Sequence, residues 1–177
     1  MKKIVIALVA LLAGIGPVSA QKIGYINTED ILKLIPAYVT AQNQLEVLSD
    51  KYKASIEAEF GKIETLYQEY QASKSSMSMS QRQNAENEII SKERVAQEKQ
   101  KIYFGEDGIM AKKAEELLSP IRKAVEQAIE NVARAGGYDM VIDVAAMQGV
   151  VYKNKALDLT DKVLVNYHEN NYHGNQN

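Results

Sequence analysis

The chain has no proline between Pro36 and Pro120, and a regular apolar stripe occupies the first part of this interval. The stripe covers 29 residues in eight steps: Ala41, Leu45, Leu48, Tyr52, Ile56, Phe60, Ile63, Tyr67 and Tyr70. That spacing is the period of a nearly straight amphipathic α-helix. Pro36 suits the first helical turn, where its missing N–H is no loss. The sequence therefore predicts one long helix that begins near Pro36.

The periodicity stops between Ser73 and Ser80, which predicts a turn, and then resumes. Ser80 and Gln83 have the spacing of a capping box, so we expect the second helix to begin there. Its stripe is weak at first and strong after Met110, and the pattern predicts a single helix that continues to Gly136 and Gly137. Residues 37–119 are therefore predicted to form a helical-hairpin arm with a tip turn near 73–80.

The rest of the chain, residues 21–36 and 120–177, is predicted to form a small body. Segments 22–27, 138–146 and 149–153 are rich in β-branched and aromatic residues and read as short strands. Thr28 and Thr160 are placed to cap short helices. The predicted fold class is α+β and mostly helical. Because a body of this size has a small core and open sheet edges, we expect several copies to associate.

Residues 1–20 have the pattern of a cleaved signal peptide. Lys2 and Lys3 precede an apolar run from Ile4 to Ile15, and small residues end at Ala20. The chain has no cysteine, so packing alone must stabilise it. Lys2 and Lys3 are two of its 21 basic residues, so the mature chain has 19 against 23 acidic residues, a net charge of −4. This balance does not predict a nucleic-acid partner.

The aromatic stripe and the tip are the candidate binding surface. Toward the tip the second helix offers little apolar surface, so Phe60, Ile63, Tyr67 and Tyr70 are expected to stay partly uncovered. Residues 74–101 hold six basic and four acidic side chains, which suits attraction to acidic partners. The predicted binding residues are Tyr52, Ile56, Phe60, Ile63, Tyr67, Tyr70, Met77, Met79, Arg82, Lys92 and Arg94. The alternatives are that the stripe is only the hairpin's own seam, that the tip methionines are inert, and that the charges form a solvated face.

Two other groups of polar residues do not predict a catalytic or metal site. His168 and His173 are spaced so that both rings do not share one helical face, and no second cluster accompanies them. Asp139 and Asp143 lie on one face of a strand, but no nucleophile, basic partner or phosphate loop accompanies them. We therefore expect no metal, no cofactor and no enzymatic activity.

The order of these parts resembles the Skp/OmpH family of periplasmic chaperones. The resemblance rests on the signal peptide, "KIGYINTEDIL", the low-proline hairpin and the C-terminal "GYDMVIDVAAMQGVVYKNKALDLTDKVLVNY". The last segment is the most specific, with a strand ending in Asp143, a second strand containing Tyr152, and "DLT" opening a final helix.

The resemblance implies a homotrimer with a β-barrel body shared by three chains and three arms around a cavity. Members of the family hold unfolded outer-membrane proteins in this cavity without ATP. Transient contact with the membrane or with lipopolysaccharide is a further expectation. The side chains available to the shared body are Ile23, Tyr25, Val141, Val144, Val150 and Tyr152. A structural coiled-coil adaptor of an envelope assembly is the alternative function.

Overall fold

The computed structural model describes residues 21–173, so the predicted signal peptide lies outside the described residues. Helices dominate, with a small sheet, which confirms the predicted fold class. The helices are α1 (Thr28–Lys33), α2 (Pro36–Ser73), α3 (Met79–Phe104), α4 (Ile109–Gly136) and α5 (Thr160–His173), and the strands are β1 (Ile23–Ile26) and β2 (Met140–Asp143). The described residues divide into a hairpin unit, 32–126, and a sheet unit, 21–31 with 127–173.

Helix α2 begins as the sequence predicts. Ile35 has extended backbone angles, with φ −93° and ψ 110°, and Pro36 takes the first helical position. The helix then continues for 38 residues to Ser73. A proline is well placed there because its fixed φ is already helical and its absent N–H would have no partner in the first turn.

A capping box begins helix α3, but two residues earlier than predicted. The Ser78 side chain accepts a hydrogen bond from the Gln81 N–H at 3.3 Å, and the Gln81 side chain accepts one from the Ser78 N–H at 2.8 Å. The prediction that Ser80 and Gln83 form this box is wrong. Both pairs have the same serine and glutamine spacing, and the periodicity of the helix is too weak here to choose between them.

The second helix of the hairpin is interrupted, whereas the sequence analysis predicted a continuous helix. Gly105 ends α3 with an extended backbone, φ −64° and ψ 169°, and its N–H donates to the Lys101 carbonyl at 2.8 Å. A Cβ atom on Gly108 would lie only 2.8 Å from the Gly105 carbonyl oxygen. The two glycines therefore permit a tight link, and α4 begins immediately after it.

The two strands are parallel neighbours, with Ile23 opposite Met140 and Ile26 opposite Asp143. Gly24 allows a close approach, because a Cβ atom there would lie 2.5 Å from Cδ1 of Leu159. Leu159 also donates its backbone N–H to the Tyr25 carbonyl at 2.8 Å. This side chain thus packs directly onto the strand.

The predicted third strand at 149–153 is wrong for the single chain. These residues have no strand assignment, and none of their backbone groups is hydrogen-bonded to the backbone of another described residue. Gly149 has φ +88°, and Val151 is 99% exposed. The β-branched residues favour an extended backbone, but residues 21–173 supply no neighbouring strand for them.

Helix ends in the sheet unit show one confirmed prediction and two corrections. Gly137 ends α4 with φ +62°, the left-handed cap predicted for it. Asn27, and not Thr28, caps α1, since its Oδ1 accepts hydrogen bonds from the N–H groups of Glu29 and Asp30 at 3.1 and 3.3 Å. Asp158, and not Thr160, supplies the side-chain acceptor at the start of α5.

The core of the sheet unit is apolar. Its most buried side chains, each at most 3% exposed, are Ile26, Ile31, Ala128, Leu159 and Val163.

Among the helices of residues 21–173, none is both long enough and apolar enough to span a membrane.

Candidate functional site

The hairpin formed by α2 and α3 is the first part of the candidate site, and three contacts define its antiparallel register. The Tyr52 ring stacks on Tyr103, with centroids 4.1 Å apart. The Lys99 ammonium lies 3.2 Å from a Glu59 carboxylate oxygen. Near the tip the Tyr70 hydroxyl donates to the Glu86 carboxylate.

A buried seam holds the end of the hairpin together, formed by Ile63 and Tyr70 of α2 with Ile89 and Ala96 of α3. Leu66, Met77 and Ala85 pack against it as partly buried side chains. The hydrogen bond to Glu86, together with burial, raises the pKa of the Tyr70 hydroxyl. Ala96 is small, so it allows the two helices to approach closely at this point.

The aromatic stripe therefore divides into two sets. Ile56, Ile63 and Tyr70 are buried, so the prediction that the last two stay uncovered is wrong. Phe60 and Tyr67 are 38% and 48% exposed, as predicted. These two lie seven residues apart, about two helical turns, and so share one face of α2. The hairpin leaves this aromatic face, defined here as Phe60 and Tyr67, in solvent.

The remaining predicted binding residues lie near the tip or along α3. Met79 is 87% exposed, while Met77 is partly buried. Arg82, Lys92 and Arg94 are all exposed. The Lys92 ammonium lies 3.6 Å from the Glu88 carboxylate one turn earlier, so part of its charge is balanced within the helix.

Four exposed apolar side chains on α3 were not predicted from the sequence, and three of them follow the seam closely: Ile90, Val95 and Ile102, with Phe104 at the helix end as the fourth. Ile90 and Val95 are adjacent in the sequence to the seam residues Ile89 and Ala96, and Ile102 is adjacent to Tyr103, which stacks on Tyr52. A search of the α3 sequence for apolar residues directly beside those of its predicted stripe could have found them. They add exposed apolar surface to the hairpin that its own packing does not require.

Glu59 carries the main electrostatic link across the hairpin. The hydrogen bond from Lys99 lowers the pKa of its carboxyl group, and the nearby charge of Lys62 lowers it further. A carboxyl whose pKa is lowered by folding stabilises the folded state above its unfolded pKa. That contribution is lost as the pH falls through the folded pKa.

Glu59→Gln should therefore lower the free energy of unfolding of the hairpin at pH 7. The difference from the unmodified chain should shrink as the pH falls through the lowered folded pKa of Glu59, because both carboxyl and amide are then uncharged. Urea unfolding at pH 7 and pH 3 measures this difference, and Glu57→Gln on the same helix is the control. An equal loss at both pH values would contradict the assignment.

The predicted body residues differ widely in exposure. Tyr25 is buried and Ile23 is partly exposed on β1, while Val141 and Val144 are half-buried. Val150 and Tyr152 lie in the unpaired segment 149–153 and are exposed, Tyr152 strongly so. The outer edge of β2 and this segment have backbone groups without a strand partner among the described residues.

Asp139, just before β2, and Asp143, its last residue, make structural hydrogen bonds. An oxygen of Asp139 accepts from the Lys22 backbone N–H at 2.7 Å, and an oxygen of Asp143 accepts from the Thr28 hydroxyl at 2.5 Å. Both link β2 to residues next to β1. Within residues 21–173, no three His, Asp or Glu side chains are grouped so that they could hold a metal ion.

The chain combines a long helical hairpin with a small parallel sheet, and apolar side chains are exposed along the hairpin. These features define a class of proteins that carry helical-hairpin arms. The family model "Outer membrane protein (OmpH-like)" matches residues 22–167. The chain belongs to this OmpH-like family, which confirms the resemblance found in the sequence.

Individual relatives agree with this family. The chain is 30% identical over 153 residues to "Chaperone protein Skp" of Yersinia enterocolitica, covering 86% of this chain and 90% of that protein. It is 29% identical to the Skp chaperone of Photorhabdus laumondii, with 93% and 98% covered. These relatives are named as chaperones, a role without catalysis.

A solved structure supports the fold. The crystal structure of a Caulobacter crescentus protein, described as an OmpH-like outer membrane chaperone, has a TM-score of 0.63 to this chain. The similarity covers 88% of each chain at 15% sequence identity, and so concerns the fold.

Proposed function

We propose that the chain is an ATP-independent periplasmic holdase that binds unfolded outer-membrane β-barrel proteins between its arms and prevents their aggregation. The observation that carries this proposal is the aromatic face. Phe60 and Tyr67 remain in solvent on a hairpin whose seam is already closed by other side chains. The chaperone names of the relatives support the same role.

The chemistry of this surface suits clients of varied sequence. Aromatic side chains give a large apolar contact at a low cost in side-chain entropy, and they require no particular sequence in the partner. Ile90, Val95 and Ile102 extend the exposed apolar surface along α3. The basic side chains Arg82 and Arg94 add attraction for acidic client segments, which salt screens. The same charges are available for transient contact with lipopolysaccharide or an anionic membrane surface.

A dilution assay tests the proposal. A urea-unfolded outer-membrane β-barrel protein is diluted into buffer with the mature chain, without nucleotide, and light scattering is followed. We expect stoichiometric amounts of the trimer to suppress scattering, while an equal mass of an unrelated acidic protein does not. Scattering equal to that of the client alone would overturn the proposal.

We further propose that three copies associate through their sheet units. The free edge of β2 has unpaired backbone groups, segment 149–153 has no backbone hydrogen bonds to other described residues, and Val150, Val151 and Tyr152 in it are exposed. Unpaired strand edges are prone to pair with another chain. Shared strands would cover these side chains and complete the hydrogen bonds of the backbone.

A variant lacking residues 50–105 should therefore still sediment as a trimer, because it keeps β1, β2 and segment 149–153. Val151→Pro in the full chain should shift the protein toward the monomer, since proline removes a backbone N–H donor from this segment. Analytical ultracentrifugation measures both. A monomeric deletion variant would place the interface in the hairpin instead.

A further inference from the structure

The tip of the hairpin carries two methionines in different environments. Met79, the first residue of α3, is 87% exposed, whereas Met77 in the turn packs against the seam. The chain has no cysteine, so its sulfur chemistry is confined to methionine. Only Ser78 thus separates an accessible thioether, on Met79, from the Met77 thioether, which contributes to packing.

The environment of Met77 makes its oxidation consequential. A shallow groove of about 200 Å³ beside the seam is lined by Leu66, Tyr70, Met77 and Ile89, among others, so a small oxidant has a path to the sulfur. Methionine sulfoxide is polar, and its oxygen must be hydrated or hydrogen-bonded. Placed against Leu66 and Ile89, it would oppose the apolar packing of the turn. At Met79 the same change adds a polar group to a side chain already in water.

We propose that the tip turn is a peroxide-responsive site, in which oxidation of Met77 releases the end of the hairpin and oxidation of the more exposed Met79 precedes it. The sulfur lone pair attacks an oxygen of hydrogen peroxide, and the S–O bond forms as the O–O bond breaks. A proton passes to the departing oxygen and gives water. Sulfur loses two electrons and the peroxide gains them. Methionine sulfoxide reductase can reverse the product.

The test combines graded hydrogen peroxide, peptide mass spectrometry and amide hydrogen exchange on the full mature chain. Met79 sulfoxide should appear at lower doses and leave exchange at residues 63–70 and 85–96 unchanged. When Met77 is oxidised, exchange in these segments should rise about fivefold or more, because the apolar packing at the turn is lost. Reduction of the sulfoxide by the reductase should restore slow exchange.

Three variants separate the two methionines. Met77→Leu should keep slow exchange at peroxide doses that raise exchange in the hairpin of the unmodified chain. Met79→Leu should still show the rise in exchange. Met77→Gln, a polar side chain of similar length, should show fast exchange without oxidant. The proposal is overturned if exchange rises with Met79 sulfoxide alone, or if Met77→Leu responds like the unmodified chain.

Discussion

Leu159→Ala should lower the free energy of unfolding by about 3 kcal/mol, the typical cost of truncating a buried leucine. Leu159 is 1% exposed, and its Cδ1 packs against the backbone of Gly24. Glycine at 24 leaves space that the Leu159 side chain fills beside the Tyr138 ring, so truncation creates a cavity next to β1. The same residue anchors the start of α5 through its hydrogen bond to Tyr25.

Leu157→Ala is the matched control. It is the same leucine-to-alanine change, two residues earlier in the chain, at a side chain that is 42% exposed. Its effect should stay within about 0.5 kcal/mol. Guanidinium unfolding followed by circular dichroism measures both variants, at one protein concentration because association also stabilises the folded chain. Equal losses for the two variants would show that Leu159 does not carry the packing of the sheet unit.

The double substitution of Phe60 and Tyr67 by serine should weaken client binding about tenfold or more. Each substitution removes an exposed aromatic ring that a client could contact. The free energy of unfolding should change little, because neither side chain belongs to the seam. Fluorescence titration with a labelled unfolded outer-membrane protein measures the affinity. Sedimentation confirms that the association state is unchanged.

Val47→Ser is the control for this pair, since Val47 is exposed on the same helix but lies outside the aromatic stripe. It should bind clients like the unmodified chain. Full client affinity in the Phe60 and Tyr67 variant would show that the aromatic face is not used and would favour the adaptor function. Ile63→Ser, in contrast, should destabilise the hairpin, because it places a hydroxyl in the buried seam.

The long elements of the fold could be predicted because they are set by local sequence. The stripe from Ala41 to Tyr70 and the position of Pro36 are sufficient for α2, and Gly137 marks the end of α4. The family could also be predicted, from the order of the segments along the chain. These features depend on periodicity and on residues with strong backbone preferences.

Other features depend on what each residue meets in the folded chain. The stripe did not reveal that Ile63 and Tyr70 face α3 while Phe60 and Tyr67 face solvent, because all four share a broad helical face. Gly105 and Gly108 are weak points in the helical pattern, but a complete break did not follow from the sequence, since glycine costs a helix only about 1 kcal/mol and packing often compensates. Segment 149–153 has strand composition, but pairing needs a partner that one chain does not supply.

The distance along the chain between partners implies an order of folding. The hydrogen bond between Tyr70 and Glu86 closes a loop of 16 residues, whereas the bond between Lys22 and Asp139 spans 117 residues. Short loops close at a smaller entropic cost, so the tip should form early. During synthesis β1 emerges first, yet its neighbour β2 follows only after both arms of the hairpin have been made. The sheet therefore cannot form until the whole hairpin has been synthesised.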